Sequence, residues 1–172
     1  GGQRAYHHPA RLVYIMTGLL MSLLGCLGSQ HVTSIAQFTQ SNNPKDLPEL
    51  LESPYTYVRL HTVEQVQQQS WSPNSKDDPI VLLMLEILRD PKELCATRGQ
   101  SAYTLGQWQI YDSARDIVDA LNTCDDESRY WMVLGLEALA EGNPIASGAL
   151  SELQYDADIF IRTEVQQWMV NP

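Results

Sequence analysis

Cationic charge is scarce in this 172-residue chain, where 11 Lys and Arg stand against 21 Asp and Glu, a formal net charge of -10. Such a molecule repels phosphate backbones, and no basic stripe offsets the repulsion, so nucleic acid is not an expected partner. Histidine is nearly missing. Of four, His7, His8 and His31 lie near the N-terminus, and His61 alone falls within the later sequence, where a surface or partly buried role is expected. Neither CxxC nor HxxxH spacing occurs, so a zinc site is not expected. There is no GxSxG and no glycine-rich phosphate loop, and Asp125-Asp126-Glu127 lacks the alternating oxygens and the glycine of a calcium loop. The sequence therefore gives no ground for catalysis, a metal, a cofactor or a small-molecule substrate.

What is present is an ordinary globular composition, 44% hydrophobic and 19% charged, in a length that suits one core. Residues 1–30 stand apart. Arg4 and Arg11 precede Leu12–Leu27, an uncharged run of 16 residues in which only Thr17 and Ser22 are polar. A helix of that length falls short of the roughly 20 residues that span a bilayer and lies near the core of a signal peptide. The run ends in Leu23-Leu24-Gly25-Cys26, which resembles the bacterial lipobox. That resemblance implies removal of residues 1–25, acylation of Cys26 and, with Leu27 following, sorting to the outer membrane. An uncleaved membrane anchor, a buried helix of the domain, and a signal peptide with a cysteine nearby by chance remain the alternatives. All but the buried helix place the remainder outside the cytoplasm, given Arg4 and Arg11 on the inner side. Residues 31–43 (HVTSIAQFTQSNN) are expected to be a tether closed by the turn at Ser41-Asn42-Asn43-Pro44.

From residue 44 to 172 the sequence repeats itself. Arg59, Arg98, Arg129 and Arg162 recur at intervals of 39, 31 and 33 residues. Seven residues after each arginine stands Val66, Leu105, Leu136 or Met169, and four after stands Val63, Ala102, Val133 or Gln166. These spacings describe a one-sided helix following each arginine. An apolar segment precedes each one: Pro44–Leu51, Pro79–Leu88, Ser113–Leu121 and Pro144–Leu153. Pro79 and Pro144 suit a first helical turn, with Asp78 and Asn143 as N-caps, and Asp158 is a similar start for the last helix. Four helical hairpins are thus predicted. The long first interval is explained by an insertion at Trp71–Asp78 (WSPNSKDD).

This pattern resembles the HEAT repeat, in which an acidic residue in the inter-helix turn and a Val-Arg pair open the second helix. Val58-Arg59 and Asp158-Ile159-Phe160-Ile161-Arg162 match it best, whereas Thr97-Arg98 and Ser128-Arg129 depart at the apolar place. The resemblance covers about residues 44–170 and implies an all-α solenoid, each hairpin burying the stripe its neighbour cannot. It implies a structural arginine in each turn, bonded to an acidic or carbonyl group of its own or the adjacent repeat.

The remaining cysteines, Cys95 and Cys124, fall in the turns of adjacent repeats, three residues before Arg98 and five before Arg129. Packed hairpins about 8–10 Å apart can close at a turn to the roughly 5.5–6 Å that a disulfide needs. A Cys95–Cys124 bond is expected in an oxidising compartment, with two half-buried thiols as the alternative. Most aromatics (among them Tyr103, Trp108, Tyr111, Tyr130, Trp131 and Trp168) are expected to fill the core. Trp71, Tyr55 and Tyr57 are candidates for an interface.

The reading that follows is a non-catalytic scaffold or assembly factor at the bacterial envelope, anchored by its N-terminus, facing the periplasm and binding a protein partner there. Two rivals stand beside it. One is a structural subunit of a membrane complex held by an uncleaved helix. The other is a HEAT-like lyase binding a small ligand, as relatives of this repeat do with tetrapyrroles. The HEAT-like iron hydroxylases carry His-Glu pairs, and none occurs here.

Overall fold

Helix starts in this chain are written by side chains that satisfy the free N–H groups of a first turn. The computed structural model describes residues 46–68, 73, 75–124 and 127–170. In it Asp78 Oδ1 accepts from the Ile80 amide at 3.0 Å, and Asn143 Oδ1 accepts from the amides of Ile145 and Ala146 at 3.0 and 3.2 Å. A proline occupies the first position after each cap, where its missing N–H costs nothing. Asp158 Oδ1 accepts from the Phe160 amide at 2.7 Å. Among the described residues the elements are α1 (Leu47–Leu51), α2 (Thr56–Gln68), α3 (Pro79–Arg89), α4 (Cys95–Gln107), a 3-10 turn (Tyr111–Ser113), α5 (Ala114–Leu121), α6 (Ser128–Ala140), α7 (Pro144–Leu153) and α8 (Ile159–Val170). No strand occurs among them: the fold is all-α. All of them belong to the second of the chain's two units, Asn42–Pro172.

Contacts between elements follow chain order. Successive helices pack pairwise as α1 with α2, α3 with α4, α5 with α6 and α7 with α8. The first helices also touch in a row, α1 to α3 to α5 to α7, and the second helices in another, α2 to α4 to α6 to α8. Every substantial contact thus joins elements of the same or the neighbouring pair, a packing compatible with a solenoid. The core runs between the two rows and is aliphatic: Leu51, Val63, Met84, Leu88, Leu105, Ile117, Met132, Leu136 and Leu150 are all buried.

The residue before each arginine, Val58, Thr97, Ser128 or Ile161, is buried. The fourth and seventh residues after it are buried in the first three pairs, but Gln166 and Met169 of α8 are exposed. No described layer follows α8, so those two positions meet solvent and their residues tolerate it.

One boundary and one expectation need correction. The predicted helix from Ser113 starts at Ala114 behind a 3-10 turn, whereas the predicted start at Pro44 lies outside the described residues. The aromatics reach the core only in part: Tyr103, Trp108, Tyr130, Trp131 and Trp168 are half-buried, with Trp108, Tyr130 and Trp168 packed against the aliphatic core, and Tyr111 is exposed. The leader, Cys26, the tether through residue 43 and Trp71 lie outside the described residues. Among the described residues no helix is long and apolar enough to cross a membrane.

Candidate functional site

The four arginines sit within the first turns of α2, α4, α6 and α8 and face the inter-helix turns. Arg59 donates from Nε to Glu93 Oε2 at 2.5 Å, from Nη2 to Thr56 Oγ1 at 3.0 Å and from Nη1 to the Ser53 carbonyl. It thereby ties its own turn to the turn between α3 and α4, where Glu93 is 7% exposed. Arg98, 4% exposed, donates to the Leu88 carbonyl and to Thr123 Oγ1, both at 3.0 Å, and reaches Cys124 Sγ at 3.6 Å. Burial pulls its guanidinium below the ordinary arginine value, with the charge of Asp90 opposing the shift. Arg129 grips Asp156 with two parallel bonds of 3.2 and 2.5 Å, the fork geometry that suits a carboxylate, and holds the Asp156 carboxyl below its usual range. Arg162 donates to the carbonyls of Asp156 and Ala157 in its own turn. Three of the four therefore link one hairpin to the next.

The disulfide lies in the same row. Cys95 opens α4, Cys124 ends the turn after α5, and their bond spans 29 residues with a Cα separation of 5.8 Å. It joins the second hairpin to the third at the point where Arg98 also crosses. These groups hold adjacent hairpins together.

Tyr55 and Tyr57, at the turn into α2, are 61% and 71% exposed and stand free for contact. An open cleft of ≈ 360 Å³ lies between Pro73, Lys76, Trp108, Gln109 and Tyr111. Lys76 Nζ and Asp112 Oδ2 pair at its edge at 3.0 Å, and Gln109 takes a positive φ of 56° there. Neither feature gathers groups that would do chemistry. Among the described residues no cluster of His, Cys, Asp and Glu has the makings of a metal site. His61 is exposed, with Nδ1 3.5 Å from Glu64.

A more pointed arrangement lies along the second-helix row, on the side that helical spacing turns away from the first helices. There Gln100 and Tyr103 of α4, Tyr130, Trp131 and Glu137 of α6, and Glu164 of α8 are all half-buried. The Tyr103 and Trp131 rings meet edge to face at 5.3 Å between centroids, and Tyr130 and Trp131 at 6.1 Å. Tyr130 donates its hydroxyl proton to Glu164 Oε2 at 3.1 Å. Burial, then the charges and hydrogen bond of Glu164, push that hydroxyl up to about 12. Glu137 Oε1 and Gln100 Oε1 are enclosed and accept no hydrogen bond among the described residues. Burial foremost, and Glu164 second, raise the Glu137 carboxyl to about 8. The sequence held one signal for this place: Glu137 interrupts the otherwise uncharged Tyr130–Ala140 and falls two helical turns after Tyr130, on the same face. Glu164 carried no such signal, because it reaches Tyr130 only through packing of α8 on α6.

Comparison with protein families, with curated proteins and with solved structures finds no match to this chain.

Proposed function

We propose that this chain is a non-catalytic, HEAT-like scaffold or assembly factor that binds a protein partner at the bacterial envelope. In this reading the four hairpins stack as a short solenoid, acylated Cys26 anchors it, and the domain faces the periplasm. The observation that carries the proposal is the pairing of helices into two rows, with half-buried rings and carboxylates along the second row. A row of side chains on rigid helices offers a partner an extended, preformed surface without needing a pocket. The Cys95–Cys124 bond supports an oxidising compartment, where such a bond persists. The lipobox-like Leu23–Cys26 supports the anchor.

Two measurements test this. A photoreactive residue at Tyr103 or Tyr57 should crosslink in intact cells to a discrete envelope protein, and no crosslink from either position would end the scaffold reading. Mass spectrometry of the mature N-terminus should find Cys26 acylated. An intact leader would favour instead a subunit held in a membrane complex by an uncleaved helix.

A further inference from the structure

We propose that Tyr103, Tyr130 and Trp131, with Glu137 and Glu164, form a seat for a basic side chain on a peptide segment of the partner protein. The inference rests on the scaffold reading and adds the chemistry of the contact.

Acceptors without donors set the requirement. Glu137 Oε1 and Gln100 Oε1 are enclosed with no hydrogen bond among the described residues, while the Tyr130 proton is already given to Glu164. A ligand that satisfies this place must bring donors, and a lysine ammonium or an arginine guanidinium carries only donors. Among the described residues two other enclosed carboxylates have an arginine of their own: Glu93 has Arg59, and Asp156 has Arg129. Glu137 has no such ion pair among the described residues, and the charged group that bears on it is Glu164, another acid. Without a cation such a carboxyl keeps its proton near neutral pH, and a partner's cation would favour the ionised form.

The aromatic rings narrow the choice. Tyrosine and tryptophan faces attract an organic cation, whereas a bare divalent ion wants several oxygens in place of rings. The chain's charge of -10 adds a long-range field that draws basic segments toward it. The groups that face Glu137 are Tyr130 of its own helix and Glu164 of α8, with Tyr103 of α4 beyond Tyr130. Arrival of a cation lowers the proton affinity of Glu137, so binding near neutral pH expels a proton.

The test is calorimetric titration of the full chain in detergent with a ten-residue peptide of alternating lysine and glycine. It is run at pH 7 in two buffers of different ionisation enthalpy. Saturable binding with proton release is expected. Glu137→Gln and Glu164→Gln should each weaken it at least tenfold, with circular dichroism showing the helix content kept. Glu152→Gln, an equal change of charge on the exposed side of α7, should stay within twofold. Equal weakening by all three variants, binding without proton release, or no saturable binding overturns the proposal. If the peptide fails while the envelope crosslink persists, the seat is lost and the scaffold stands. If the peptide binds but no crosslink forms, the scaffold reading is what fails.

Discussion

Gly106 of α4 and Gly135 of α6 meet backbone to backbone. A methyl group built on Gly106 would stand 2.7 Å from the Gly135 Cα and nearer still to its carbonyl oxygen, and one on Gly135 would stand 2.6 Å from the Ala102 carbonyl oxygen. Gly99 repeats the arrangement against Ser128. These small residues let the second and third hairpins approach more closely than side chains would permit, and α4 and α6 form the most extensive helix contact in the fold.

Gly106→Ala and Gly135→Ala should therefore each destabilise by about 2–4 kcal/mol, since the obstacle is backbone and cannot swing aside. Gly148→Ala gives the contrast. It lies within α7 with nothing inside 4 Å of the added methyl, so it should stabilise by roughly 0.5–1 kcal/mol through helix propensity. Urea unfolding of the three variants reads both signs in one experiment. A neutral Gly106→Ala would refute the close approach.

The same two hairpins are joined covalently. Replacing Cys95 and Cys124 by alanine opens a loop of 29 residues, which chain entropy values at about 3–4 kcal/mol. The midpoint of thermal unfolding should fall by about the same amount in the double variant as in the wild-type protein treated with reductant. A larger fall in the double variant would mean that the sulfur atoms pack against Arg98 as well as bridge.

How much of this was readable beforehand differs from part to part. The paired helices were legible because Val63, Ala102 and Val133 keep one distance from their arginines and all are buried. The caps at Asp78 and Asn143 were legible because capping is local chemistry. The cysteine pair followed from the same register. The destination of the rings was not, because whether Tyr103 or Trp131 is enclosed depends on how closely α4 and α6 pack, and Gly99, Gly106 and Gly135 set that distance. Nor did the spacing of Arg59 reveal Glu93 as its partner, which sits 34 residues away in the next turn.

That pair makes a third prediction. The Arg59 and Glu93 side chains are 18% and 2% exposed, so removing Arg59 leaves a carboxylate enclosed with, among the described residues, only the Leu94 amide donating to it. Arg59→Met should cost about 2–4 kcal/mol, whereas Arg59→Met with Glu93→Leu should recover much of the loss, because the penalty lies in the stranded charge. A double-mutant cycle by urea unfolding measures the coupling. Additive effects would show that the two side chains do not act as a pair.

Glu137 ties stability to pH with an unusual sign. Its carboxyl titrates at about 8 in the folded chain against an ordinary 4.5, so the folded state keeps a proton that the unfolded state has already released. Below the lower value both states are protonated and the residue is neutral in effect. As pH rises from there to about 8, the unfolded state binds fewer protons and stability falls; above it the loss is complete. Water reaches the half-buried group and screens it, so the expected decrease between pH 5 and pH 9 is roughly 1–3 kcal/mol, well below what the full shift would imply. Glu137→Gln never ionises and should remove this part of the slope, leaving the variant more stable than wild type at pH 9 and about equal at pH 5. Asp156 works in the opposite direction and in a separate window. Its bond to Arg129 stabilises the fold above the ordinary aspartate value of 3.8, and that contribution is lost as the medium is acidified below it. Urea midpoints across pH 3 to 9 therefore separate the two groups. A Glu137→Gln profile parallel to the wild type would show that the carboxyl is not enclosed, and the seat for a basic side chain would lose its foundation.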